Sequence, residues 1–156
     1  MPERSYAVRQ GGPDDVEAIC AQRRAMYVDM GQEDAAALDE MTARFRPWVV
    51  QRLSDGTYLA WLIETNGRTV AGAGVWMKPV LPGLRGTRPE VPYVLNVYCA
   101  PDHRRRGLAR LLMDAIVTWA KDHGHRVVEL HASDEGRPLY DSMGFLATNE
   151  MRLTLG

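Results

Sequence analysis

The chain has 156 residues, of which 46% are apolar, 25% charged and 8% aromatic; that length suits one domain spanning 1–156, and the composition is that of a soluble globular protein rather than a disordered one. Nineteen basic side chains against twenty acidic ones give a net charge of −1, which argues against a protein-wide surface for nucleic acid or membrane and makes neither an expected partner. No apolar run approaches the ~20 residues of a membrane span, the N-terminal MPERSYAVRQ lacks the apolar core of a secretory signal, and two cysteines, Cys20 and Cys99, point to a cytoplasmic protein with reduced thiols.

The predicted elements alternate between strand and helix. Residues 5–10 read as a short edge strand. Gly11-Gly12-Pro13-Asp14 then opens a helix over about 14–29, with Val16, Ile19, Cys20, Met26 and Met30 on its apolar stripe. A second helix begins near Ala35 and carries Leu38, Met41, Phe45, Trp48 and Val49 at helical spacing; Pro47 predicts a kink or a fresh start inside it. Tyr58–Glu64 and Thr69–Met77 read as strands joined at Asn66-Gly67, a hairpin turn because both residues tolerate positive φ. Four prolines mark residues 78–92 as a long irregular loop. Tyr93–Cys99 is an apolar strand. Leu108, Leu111, Leu112, Ala115, Ile116 and Trp119 form the clearest helical stripe, ended by Gly124. A strand at Val127–His131, a short helix around Pro138 and a last strand from Phe145 to Leu155 complete the chain. A crossover helix between two strands makes them parallel, beside an antiparallel hairpin.

The segment VYCAPDHRRRGLAR, residues 97–110, joins a strand end, a glycine turn and the start of an amphipathic helix. The first amides of such a helix have no partner within it and favour an anion, helped by the helix dipole. Gly107 lets backbone approach a ligand closely. Four of the nineteen cations, Arg104, Arg105, Arg106 and Arg110, surround the turn. No Lys-Ser or Lys-Thr follows the glycine and no GxGxxG is present, so this is neither a P-loop nor a dinucleotide fingerprint. A solvated basic turn, or a patch on nucleic-acid phosphates, is the plainer alternative.

Arg104-Arg105-Arg106-Gly107-Leu108-Ala109 resembles the Arg/Gln-x-x-Gly-x-Gly/Ala signature of the GNAT N-acetyltransferase superfamily. The preceding Asn-Val-Tyr-Cys-Ala-Pro-Asp-His-Arg looks like that family's strand and bulge, and Leu139-Tyr140-Asp141-Ser142-Met143-Gly144-Phe145 resembles its Leu-Tyr-x-x-x-Gly-Phe segment. The resemblance implies an α/β (α+β) fold with a mixed, mostly antiparallel sheet, a splayed parallel strand pair, and helices on both faces. It implies acetyl-CoA, or another short acyl-CoA, as co-substrate, with no metal. Val97, Tyr98 and Cys99 would then face the pantetheine arm, and the amides from Arg105 through Gly107, Leu108 and Ala109 to Arg110 would hold the pyrophosphate. Ser133 stands where the family often has an Asn that meets the cofactor. Tyr140 would give a proton to the departing thiolate; the alternative is a ring packed under the last strand. Cys99 as a nucleophile is disfavoured, because no partner His is evident and the family usually transfers the acyl group directly.

The acceptor implied is a primary amine, small or borne on a protein N-terminus or lysine. Met26, Tyr27, Met30, Phe45 and Trp48, with the 78–92 loop, are candidates to line its pocket. Asn96 stands in the strand where some family members carry a carboxylate base. Glu33 and Asp34 are alternative acids in the loop between the first helices, and His131 ends a strand bordering the groove; each has the competing reading of an ordinary solvated or packed residue. A non-catalytic acyl-CoA-binding module is the second functional class, DNA binding through Arg104–Arg106 a third, and a homodimer is the expected assembly.

Overall fold

A computed structural model describes residues 5–84 and 88–156. One five-stranded sheet runs in the order β1-β2-β3-β4-β5, comprising β1 (Ala7–Gln10), β2 (Tyr58–Thr65), β3 (Arg68–Pro79), β4 (Glu90–Cys99) and β5 (Glu129–Leu130). The first four are antiparallel to their neighbours, and β5 lies parallel to β4. A short 3-10 turn, Pro13–Asp15, leads into α1 (Val16–Asp29); α2 (Ala35–Asp55), α3 (Leu108–Asp122) and α4 (Arg137–Ser142) follow. This is the mixed sheet with helices on both faces that the sequence predicts.

Alternation along the strands sorts side chains between two cores. Trp61, Ile63, Val75 and Val94 point to the face covered by α3, where they meet Leu108, Leu112, Met113 and Ile116. Tyr58 and Ala60 point to the other face, against Ile19 and Cys20 of α1 and Val49 of α2. On that second face β3 presents Gly72 and Gly74. A Cβ added at Gly72 would overlap the Gln22 side chain of α1, and one added at Gly74 would overlap the Tyr58 hydroxyl. Helix α1 approaches the sheet closely because Gly72 is empty, and Gly74 leaves room for the Tyr58 ring.

The Asn66-Gly67 turn adopts φ of 51° and 73°, as its sequence predicts. Four expectations need correction. Helix α2 runs through Pro47 with no fresh start: proline removes one donor, but Val49, two residues beyond it, is fully buried and holds the helical path. The supposed 78–92 loop is shorter, because β3 extends to Pro79 and β4 begins at Glu90, with the Val80 amide donating to the Pro89 carbonyl at 2.9 Å. The 127–131 strand shrinks to Glu129–Leu130. No strand forms between Phe145 and Leu155. Apolar alternation supplies a strand's pattern but not its hydrogen-bond partners, and two-residue β5 offers almost no edge to pair with. Leu146, Met151, Leu153 and Leu155 are consequently 82–94% exposed.

Candidate functional site

The site begins with a fault in β4. Gly74 pairs with Leu95 and Gly72 pairs with Tyr98, so two residues of β4, Asn96 and Val97, face the single Ala73. Such a bulge needs a residue tolerant of left-handed backbone, and Asn96 takes φ 57°. The bulge turns Leu95 to the α1 side while Val97 and Cys99 pack toward α3. Strand β5 pairs with β4 only at Tyr93↔Glu129 and Val94↔Leu130. From Leu95 to Cys99, therefore, the outer edge of β4 has no partner strand among the described residues.

That open edge leads through a short 3-10 turn, Pro101–His103, into the basic segment. Arg105 and Gly107 both adopt left-handed backbone, with φ of 61° and 76°. Gly107 caps α3 without any side-chain hydrogen bond, and a Cβ there would meet nothing within 4 Å. The amides opening α3 thus have no side-chain cap and lie beside an exposed turn, an arrangement that favours anions. Ala109 is half-buried and Leu108 fully buried beneath it.

The arginines divide by role. Arg104 donates to the Cys99 carbonyl at 3.0 Å, pairs with Asp29 of α1, and lies 6.0 Å over the Tyr98 ring, bracing the turn against β4. Arg106 donates to the Tyr6 hydroxyl (3.1 Å), which also bonds His103 Nδ1 (3.0 Å). Arg110 donates to the Ser142 hydroxyl of α4 at 2.6 Å, so the turn and α4 are tied together. Arg105 is exposed.

Tyr140 lies on α4, 7% exposed, with its ring edge-on to Phe145 at 5.8 Å in the same cluster as Val97 and Cys99. Burial pushes its phenol above the usual tyrosine range, so it stays protonated at neutral pH. Gly136 makes room for that ring: a Cβ there would sit 2.8 Å from it and 3.2 Å from the Ser133 hydroxyl. Ser133 accepts from the Gly136 amide at 3.1 Å and opens the α4 turn. The Cys99 thiol is also pushed up by burial, and its Sγ points at the Ala100 carbonyl (3.6 Å); neither fact suits a nucleophile.

On the α1 side, Asn96 is buried and uses both ends of its amide. Its Oδ1 accepts from Arg23 at 2.6 Å, and its Nδ2 donates to Tyr58 at 3.0 Å. Arg23 lies 5.2 Å over the Tyr27 ring and 4.8 Å over Phe45. Beside it a cavity of about 380 Å³ is lined by Phe45 and Trp48 of α2, Trp76 of β3 and Leu95 of β4. Phe45 and Trp48, two of the residues named from the sequence, thus line one cavity. Arg23 and Trp76 were missed, although Arg23 lies four residues from both buried Ile19 and Tyr27, a spacing that places it on the inner stripe.

Other expected residues lie elsewhere. Met30 ends α1 and is 64% exposed. Glu33 is exposed in the connection, and Asp34 caps α2 by accepting from the Ala37 amide at 3.1 Å. His131 sits edge-on to Tyr93 and 3.6 Å from Glu150, largely exposed. A second cleft of about 490 Å³, near Trp119, His123 and His125, includes no residue of the β4 bulge or the arginine turn. No cluster of three metal-ligating side chains occurs among the described residues, and no helix there is long and apolar enough to cross a membrane.

Residues 20–145 match the model of the acetyltransferase (GNAT) family. The chain belongs to the GNAT acetyltransferase family. A curated GNAT relative, an uncharacterized N-acetyltransferase of Methanocaldococcus jannaschii, is 27% identical over 104 residues; the match takes in 63% of this chain but only 42% of the relative's length. Among solved structures, a GCN5-related N-acetyltransferase from Ralstonia eutropha is 34% identical, with a TM-score of 0.89 over 97% of this chain and 99% of that one. An acetyltransferase from Clostridium acetobutylicum, solved with acetyl-CoA, is 26% identical, with a TM-score of 0.83 over 97% and 96%. An aminoglycoside N-acetyltransferase and a ribosomal-protein-alanine N-acetyltransferase from Brucella melitensis share the fold at 18% and 19% identity. Fold alone thus spans GNAT enzymes of very different acceptors.

Proposed function

We propose that this GNAT protein is an N-acetyltransferase that moves an acetyl group from acetyl-CoA directly to a primary amine of a small molecule. The observation that carries the reading is the continuity of the unpaired β4 edge at Leu95–Cys99 with the uncapped amides of α3 behind Arg105 and Gly107. An extended amide-bearing arm can pair with the first, and a pyrophosphate suits the second. Acetyl-CoA, when bound, supplies the activated acetyl group. Backbone of Val97, Tyr98 and Cys99 holds the arm and offers a donor to the thioester oxygen as it gains charge. The amides from Arg105 to Arg110 take the diphosphate, inside the positive field of Arg104, Arg106 and Arg110. Ser133 keeps its hydroxyl proton free to donate. The amine would attack in its neutral form, Tyr140 would give its phenolic proton to the leaving sulfur, and the proton shed by the acetylated nitrogen would restore the phenol. We read residues 1–156 as a single cytoplasmic domain.

Support for a homodimer comes from the chain's end. Met151, Leu153 and Leu155 repeat every second residue, are more than 80% exposed and have no strand beside them. A second copy can cover them.

The decisive experiment measures free CoA released by the purified protein from acetyl-CoA across a panel of amines, alongside acetyl-CoA binding. Binding with amine-dependent release is the expected result. Binding without release on any free amine or peptide would make the protein a non-catalytic acyl-CoA module. Release only with peptides would move the acceptor to proteins. Salt-sensitive DNA binding without CoA binding would overturn the reading.

A further inference from the structure

The cavity beside the β4 bulge has an aromatic wall: Phe45 stacks on Trp48 at 5.9 Å and 25°, and Trp48 meets Trp76 edge-on at 5.9 Å. Its charged lining residues are Arg23 and Arg44, and no carboxylate lines it. Arg23 has only neutral company. It donates to Asn96 Oδ1 at 2.6 Å, reaches the Tyr27 hydroxyl at 3.5 Å, and lies over two aromatic rings. Its Nε is buried with no acceptor. A half-buried guanidinium held without an anion is costly, and its unpaired buried Nε adds to that cost. Arg44 approaches Glu40 only at 4.0 Å, with both side chains more than 70% exposed, a weak pairing that leaves its charge available.

We infer that this groove takes an acceptor amine that also carries a carboxylate on an apolar body, the class of the hydrophobic α-amino acids. The inference rests on the acetyltransferase reading and narrows its substrate. The carboxylate pairs with the Arg23 guanidinium, with Arg44 closing from the rim. The apolar body packs on Trp48 and Trp76. Asn96, which fixes Arg23, is itself the bulge residue, so the anion is held one side chain away from the β4 edge where the acetyl group is delivered. Polyamines and aminoglycosides would bring positive charge against two guanidiniums, and the groove discriminates against them.

The test uses the full chain with acetyl-CoA and compares L-phenylalanine, L-phenylalaninamide, phenethylamine, spermine and kanamycin by CoA release. Calorimetry of N-acetyl-L-phenylalanine and N-acetylphenethylamine, in the presence of CoA, gives a readout independent of turnover. Phenylalanine should exceed both its amide and phenethylamine in kcat/KM by about ten-fold or more, as loss of a charge-assisted hydrogen bond predicts. Arg44→Gln, at an exposed position that folding tolerates, should lower the phenylalanine-to-phenethylamine ratio several-fold; Arg23→Met should lower it further. Phenethylamine, the amide or a polycation turned over as well as phenylalanine would overturn the inference and leave the acetyltransferase reading intact. If no amine is turned over, that reading falls, and equal binding of the two N-acetyl probes would then overturn the carboxylate site as well.

Discussion

Tyr140 is held by shape rather than by hydrogen bonds: Phe145 flanks its ring, Gly136 yields space beneath it, and burial alone raises its pKa. A phenol kept protonated in that way suits proton donation to a thiolate. Tyr140→Phe, which keeps the ring and removes the proton, should lower turnover by about ten-fold or more while acyl-CoA affinity stays nearly unchanged. Rates of CoA release and direct titration of acyl-CoA check the two halves, and unaltered turnover would remove the acid role. Gly136→Ala should move the same ring by crowding, reducing both turnover and thermal stability, the latter by about 1–3 kcal/mol. Tyr140 and Gly107 were legible because each sits in a short pattern whose neighbours carry its meaning. Arg23 was not. In sequence it is one of two adjacent arginines on a mixed helix, and its meaning depends on Asn96, 73 positions further along. A side chain read by one window cannot announce a partner in another.

At the scale of elements, the bulge in β4 is secured by a bridge rather than by strand pairing. Tyr58 of β2 accepts from Asn96, and Asn96 in turn accepts from Arg23 of α1, so two strands and a helix share one buried chain of hydrogen bonds. Burial pushes the Tyr58 phenol up from 10.0 to about 12. A raised pKa means that the folded form holds its proton more tightly; this contribution to stability is complete below pH 10 and is lost as pH climbs from 10 toward 12. Tyr58→Phe leaves the Asn96 amide without its acceptor and should cost about 1–3 kcal/mol at pH 8. In urea unfolding, the gap between the two proteins should narrow from pH 10 to 12; a constant gap would contradict the burial of the phenol. Element order and the helix–strand alternation were readable from periodicity. The end of the chain was not: Met151, Leu153 and Leu155 have a strand's spacing, but β5 is two residues long and pairs nothing beyond Val94. Periodicity reports which face is apolar and is silent on whether a neighbour exists to cover it.

For the whole molecule, the sheet separates two tasks. The α3 face builds the larger core and, through the turn at Gly107, the uncapped amides of α3; the α1/α2 face builds the arginine-lined groove; the β4 bulge is where the two meet. The exposed apolar end makes a prediction at this scale. Light scattering on the full chain should give a dimer, and Leu153→Lys with Leu155→Lys should give a folded monomer; a full chain that is already monomeric would leave no role for a second copy. The glycines of β3 add a different lever. Gly72 and Gly74 do not line the groove themselves, and Gln22 and Tyr58 occupy the space where their side chains would be. The gap between α1 and the sheet is thereby set at Gly72, a position outside the groove's lining. A methyl group added there would act as a shim, lifting α1 and carrying Arg23 away from Asn96. The acceptor preference of this scaffold can accordingly be retuned by spacing alone, with every residue that meets the acceptor left unaltered.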